Sequence, residues 1–90
     1  MLKWRVIELM AEYRVLSGNK LTQQEIAERT GLARTTVAKM VGGQGRRVDL
    51  ASLDALLNFF SPLLGREVDP GELFQYTYDG KYDLVVPLPR

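Results

Sequence analysis

The sequence contains neither cysteine nor histidine. Without cysteine, no disulfide or thiolate metal site can staple the fold, so a hydrophobic core must hold it alone. Without either residue, the two most versatile acid–base, nucleophilic and metal-binding side chains are missing. Carboxylate, lysine, serine and tyrosine remain, and no motif arranges them for catalysis. A non-enzymatic role needing no cofactor and no metal is therefore expected. Long apolar runs are absent as well. The longest are four or five residues, such as Leu84-Val85-Val86-Pro87-Leu88, whereas a membrane span needs roughly 20. The first residues place Lys3 and Arg5 around Trp4 and then alternate charged with apolar residues, which is not the pattern of a secretory signal. The expectation is no membrane association and a cytoplasmic location.

What is present fits one small globular domain: 90 residues, 46% of them apolar and 26% charged. Net charge is only +1, but it is unevenly spread. Residues 1–47 carry nine basic groups against four acidic ones, and residues 48–90 carry three against seven. From Arg29 to Arg47 there are five positive charges and no negative one. Such asymmetry suits a face that meets a polyanion, and it suits an ordinary solvated surface equally well.

Periodicity and caps predict five helices. Leu2, Val6, Leu9, Met10 and Tyr13 share one face of a first helix that ends near Ser17-Gly18-Asn19. Thr22-Gln23-Gln24-Glu25 has capping-box spacing and opens a second helix, which carries Ile26 and Ala27 inward and stops at Gly31. A third helix covers about residues 34–41, with Val37, Met40 and Val41 on its apolar face, before Gly42-Gly43-Gln44-Gly45 breaks it. A fourth opens at Asp49 and runs to about Phe60 on a stripe of Leu50, Leu53, Leu56, Leu57 and Phe60, with Ser61-Pro62 as its stop. Asp69-Pro70-Gly71-Glu72 starts a short fifth helix, about residues 70–75. The remainder, Tyr76-Thr77-Tyr78 and Lys81 to Val86 around Asp79-Gly80, has the composition of a hairpin.

Two short helices joined by a tight glycine turn, set among other helices, form a helix-turn-helix pattern. Residues 21–43, LTQQEIAERTGLARTTVAKMVGG, resemble the phage-repressor (Cro and xenobiotic-response-element) helix-turn-helix family. The wider resemblance runs from Trp4-Arg5 through RRVDLASLDAL to DPGELF. The family's pattern is met at Gln23, Ala27 and Gly31, and at the apolar positions Ile26, Leu32, Val37 and Met40. One departure is Ala33, where the family often has a capping Ser or Thr. Gly42 to Gly45 also has GXXG spacing, but it lacks the flanking strands of an RNA-binding KH loop and the Gly-Lys-Ser/Thr of a P-loop.

The resemblance implies an all-α, five-helix repressor-like domain over residues 1–75, with its motif at 22–41. Residues 76–90 form a C-terminal hairpin or extended tail that is a candidate dimerisation segment. It implies sequence-specific binding of double-stranded DNA as a small transcriptional regulator, most simply a repressor occupying an operator, and a homodimer. The alternatives are an antitoxin-type DNA-binding partner of a toxin, or a protein-interaction adaptor that keeps the fold without DNA affinity. By position, Arg34, Thr35 and Lys39 match the family's base-reading sites. The alternative for Arg34 and Lys39 is contact with phosphate alone. Gln23 matches a phosphate-contacting glutamine, and Thr22, Thr36, Gln44, Arg46 and Arg47 are the further phosphate contacts the resemblance implies.

Overall fold

A computed structural model describes residues 1–43 and 48–80 of the chain. Among these residues the element order is β1 (Leu2–Trp4), α1 (Val6–Ser17), α2 (Gln23–Thr30), α3 (Arg34–Val41), α4 (Leu50–Leu64), a 3-10 turn (Pro70–Glu72) and β2 (Phe74–Tyr76). The core gathers Val6 and Leu9 from α1, Ile26 and Ala27 from α2, Val37 and Met40 from α3, and Leu56, Phe60 and Leu64 from α4. Trp4, Leu21, Val68 and Leu73 complete it from the segments between.

The short helices start and stop where local chemistry tells them to. In α2 the Thr22 hydroxyl accepts the Glu25 backbone N–H at 3.1 Å, while the Glu25 carboxylate accepts the Thr22 N–H at 3.4 Å. Gly31 closes the helix in the left-handed region, φ 78°, and its N–H donates to the Ala27 carbonyl. An added Cβ there would meet nothing within 4 Å. The demand for glycine at this corner is therefore conformational and not one of space.

Four helices are present among the described residues, not five. The Asp69-Pro70 start is real, and the Glu72 carboxylate accepts the Asp69 N–H at 2.8 Å. The helix lasts only one 3-10 turn because the next residues are taken by strand pairing. β2 runs antiparallel to β1 in the register Leu2↔Tyr76, Lys3↔Gln75, Trp4↔Phe74. The same pairing removes Leu2 from α1: it lies in a strand and is 67% exposed. Trp4 packs against Phe74 with ring centroids 4.6 Å apart and planes tilted by 39°, closing the core over this two-stranded sheet. Thus the partner of Tyr76 is the start of the chain. The expected return strand of the hairpin, Lys81 to Val86, lies outside the described residues.

α4 also differs from its expected bounds. It passes through Pro62 to Leu64 and ends at Gly65, φ 68°. The Gly65 N–H donates to the Pro62 carbonyl and the Arg66 N–H to the Ser61 carbonyl, the Schellman arrangement. Pro62 removes only the donor that would have reached the Asn58 carbonyl. The gain is a further turn that buries Leu64. At the other end Leu50 lies outside the core stripe, 83% exposed, in the first turn.

One ionic cluster ties the ends of this bundle together. The Arg66 guanidinium meets both Glu12 carboxylate oxygens at 2.9 and 3.0 Å and both Glu72 oxygens at 2.8 and 3.0 Å. It thereby joins α1, the turn after α4, and the 3-10 turn. Arg66 and the Asp69 N–H hold the Glu72 carboxyl below the usual carboxylate range. The Ser52 N–H does the same for Asp49, the α4 cap.

Two outcomes follow. A carboxyl lowered in the folded state adds stability that is complete above the unfolded carboxylate range, about pH 4, and lost as pH falls through the folded value. The melting temperature is expected to fall in acid, and Glu72→Gln to melt lower at neutral pH with a shallower acid slope. A slope unchanged by Glu72→Gln would remove Glu72 as its source. Separately, Gly31→Val places a branched residue in the left-handed region at about 1–2 kcal/mol. Melting without any ligand should drop by roughly 4–8 °C per kcal/mol.

Candidate nucleic-acid interface

α2 and α3 each bury one face and expose the other. In α3, Val37 and Met40 are 1% and 3% exposed, while Arg34, Thr35, Ala38 and Lys39 face solvent. Residues three and four apart stack along a helix, so Arg34 and Ala38 form one exposed row and Thr35 and Lys39 the next. Thr36 is half-buried at the margin of this face. The structure therefore brings Arg34, Thr35 and Lys39 together on one surface and sets Thr36 at its edge.

α3 has no side-chain cap. Ala33 adopts the extended geometry of a cap residue, φ −65° and ψ 145°, but it has no oxygen to offer the first-turn N–H groups. α2 is the opposite case. The Thr22 hydroxyl accepts the Glu25 N–H and donates to the Glu25 carboxylate at 3.0 Å, so both its functions are engaged within the cap. The neighbouring glutamines divide: the Gln24 side-chain amide donates to Glu28 at 3.0 Å, whereas exposed Gln23 has no side-chain partner among the described residues. Gln23 is the first residue of α2, beside its N-terminal N–H groups.

Gln44, Arg46 and Arg47 lie outside the described residues. The chain leading to them departs α3 through Gly42 and Gly43, the latter at φ 73°. Among the described residues no group of three or more Asp or Glu side chains gathers as a metal site would. No helix there is long and apolar enough to cross a membrane.

Sequence reasoning missed an open groove of about 530 Å³ between the end of α2 and α4, lined by Arg29, Ala55, Phe59, Pro62 and Leu63 among others. Part of its wall, Pro62 and Leu63, comes from the turn of α4 that runs past the local stop signal. None of the α3 surface residues lines it.

Residues 7–79 match the profile of the Cro/C1-type HTH DNA-binding domain. That span covers α1 to β2 and so includes the α2–α3 pair with its exposed face. Neither a curated protein nor a solved structure matches the chain.

The missing cap is testable by supplying it. Ala33→Ser is expected to stabilise the free protein by about 0.5–2 kcal/mol, and Thr22→Ala to destabilise it by a similar amount. Thermal melts without DNA decide both. An unchanged Ala33→Ser melt would mean that the first turn of α3 already has its donors satisfied.

Proposed function

The chain belongs to the Cro/C1-type HTH DNA-binding domain family, and from that membership we propose that it is a small transcriptional regulator, a repressor that occupies an operator. The observation that carries this reading is the exposed face of α3, where Arg34, Thr35 and Lys39 stand together with no acidic residue between Arg29 and Arg47. A helix presenting such a face fits the major groove of duplex DNA.

In this reading Arg34 donates a bidentate pair to the major-groove edge of guanine. Thr35 offers its methyl to thymine or its hydroxyl to a base, and Lys39 reaches a base one turn further along. Gln23 meets a phosphate at the start of α2, where backbone N–H groups and the helix dipole favour an anion. Thr36, Gln44, Arg46 and Arg47 add phosphate contacts that position without specifying. Thr22 serves the backbone through the α2 terminus it caps. No cofactor takes part, and the protein acts in the cytoplasm, where its operator is.

One such helix reads only a few base pairs. A homodimer placing two of them about one helical turn apart accounts for operator specificity. Residues 1–75 carry the reading head and 76–90 supply the dimerisation segment.

Selection from random duplexes with the purified protein should return a motif with two related half-sites. Arg34→Ala should relax one position of that motif and lose about 1–3 kcal/mol on the best site. Arg46→Ala and Arg47→Ala should weaken all sequences alike and flatten the salt dependence. A protein showing no salt-dependent retardation of duplex DNA at low ionic strength would sink the proposal.

A further inference from the structure

In the turn between α2 and α3, side-chain bonding to the backbone comes from one residue. Thr30 is the last residue of α2. Its hydroxyl donates to the Ile26 carbonyl at 2.6 Å and accepts the Leu32 N–H at 3.3 Å. A hydroxyl carries one proton and two acceptor lone pairs. Giving the proton back to the helix fixes the rotamer and leaves a lone pair for the residue two positions ahead, the side-chain mimic of a turn. Among the described residues no other side chain bonds the backbone of Gly31, Leu32 or Ala33.

We infer, on the strength of the DNA-binding reading above, that Thr30 is a positioning residue: through Leu32, its hydroxyl sets where Arg34 and Thr35 stand.

The need for such a hold comes from α3 itself. Ala33 supplies no capping oxygen, so the first turn of α3 is not fixed by its own sequence. The core holds the later part, where Val37 and Met40 are buried, while Arg34 and Thr35 are exposed ahead of them. Leu32, two residues before Arg34, packs half-buried against the core, and Leu32 is what Thr30 holds. Thr30 is itself half-buried and lines the groove beside α4, which no α3 residue lines. In partly dry surroundings such a bond is stronger than in open water.

The consequence is selective. A bidentate arginine–guanine pair needs two donors within about 2.7–3.2 Å of their acceptors, so a small shift of the first turn breaks it. The phosphate contact proposed for Gln23 lies at the other end of α2, about 10 Å along the helix, and does not depend on the turn. Losing the hydroxyl therefore costs reading and spares nonspecific binding.

The test uses the full chain and separates hydroxyl from shape. Thr30→Val keeps the branched outline without the hydroxyl, and Thr30→Ser keeps the hydroxyl. On the duplex returned by selection, Thr30→Val should lose about tenfold in affinity. Its affinity for nonspecific duplex should stay within about twofold, and Thr30→Ser should restore specific binding. The ratio of the two affinities is the readout, because partial unfolding lowers both together. Thr30→Ala, which adds no buried methyl in place of the hydroxyl, should show the same loss of ratio if Thr30→Val folds poorly. In an Arg34→Ala background Thr30→Val should cost less than about twofold more, whereas with Lys39→Ala its full cost should remain. Amide exchange, which needs no DNA, should be faster at Leu32 in Thr30→Val by about tenfold and unchanged in Thr30→Ser. A folded Thr30→Val chain that keeps the wild-type ratio overturns the inference, as does a cost that persists in full without Arg34. Wild-type protein that binds no duplex refutes the DNA reading and this role with it, and is told apart because the wild type itself fails.

Discussion

The exposed face of α3 depends on the burial of the opposite one. Val37 and Met40 go into the same core as Ile26, Leu56 and Phe60, three residues with no exposure at all. Close-packed interiors tolerate little rotation of such a helix, since turning it would open voids on one side and clashes on the other. Once Val37 and Met40 are inward, Arg34, Thr35 and Lys39 have one place to go. The hydrophobic effect that assembles the bundle thus also aims the surface chemistry, although the aimed residues contribute nothing to the core.

The two helices of the motif handle their termini differently, and the difference matches their positions. α2 is finished internally, with Thr22 and Glu25 satisfying each other's backbone groups. α3 begins at an alanine that caps nothing. Unsatisfied N–H groups at a helix start are donors in search of an acceptor, from water or from a ligand. The first helix is a support whose local stability is secured by its own sequence. The second draws its place from packing.

Around this pair the rest of the chain acts as a frame. α1 and α4 supply the other walls of the core, and the sheet made from the two ends of the described chain closes it through Trp4 and Phe74. Arg66 fastens α1 to the turns after α4 through Glu12 and Glu72. Charge is segregated along the chain: basic groups predominate in residues 1–47, which carry α1 to α3, and acidic ones in residues 48–90, which carry α4 and β2.

The sequence by itself determined the short-range features. The Thr22 cap, the Gly31 corner, the bounds of α2 and α3, and the inward placement of Ile26, Ala27, Val37 and Met40 each rest on residues within four positions of one another. The family resemblance rests on the same stretch. Long-range features were hidden for the complementary reason. Leu2 has the helical spacing of an α1 residue, and Pro70 to Gln75 has the cap of a helix, yet Leu2 and the chain from Phe74 onward are extended because they pair across some 70 residues, leaving only one 3-10 turn at Pro70–Glu72. No local pattern weighs that bond against a helical turn. Pro62 reads as a stop, but burial of Leu64 and the left-handed Gly65 carry α4 beyond it. Arg66, Glu12 and Glu72 are unremarkable as a string of letters, and only the folded chain brings them within 3.0 Å. Local hydrogen bonding decides where a short helix begins and ends. Whether a marginal segment is helix or strand is decided by the partner that tertiary structure brings to it.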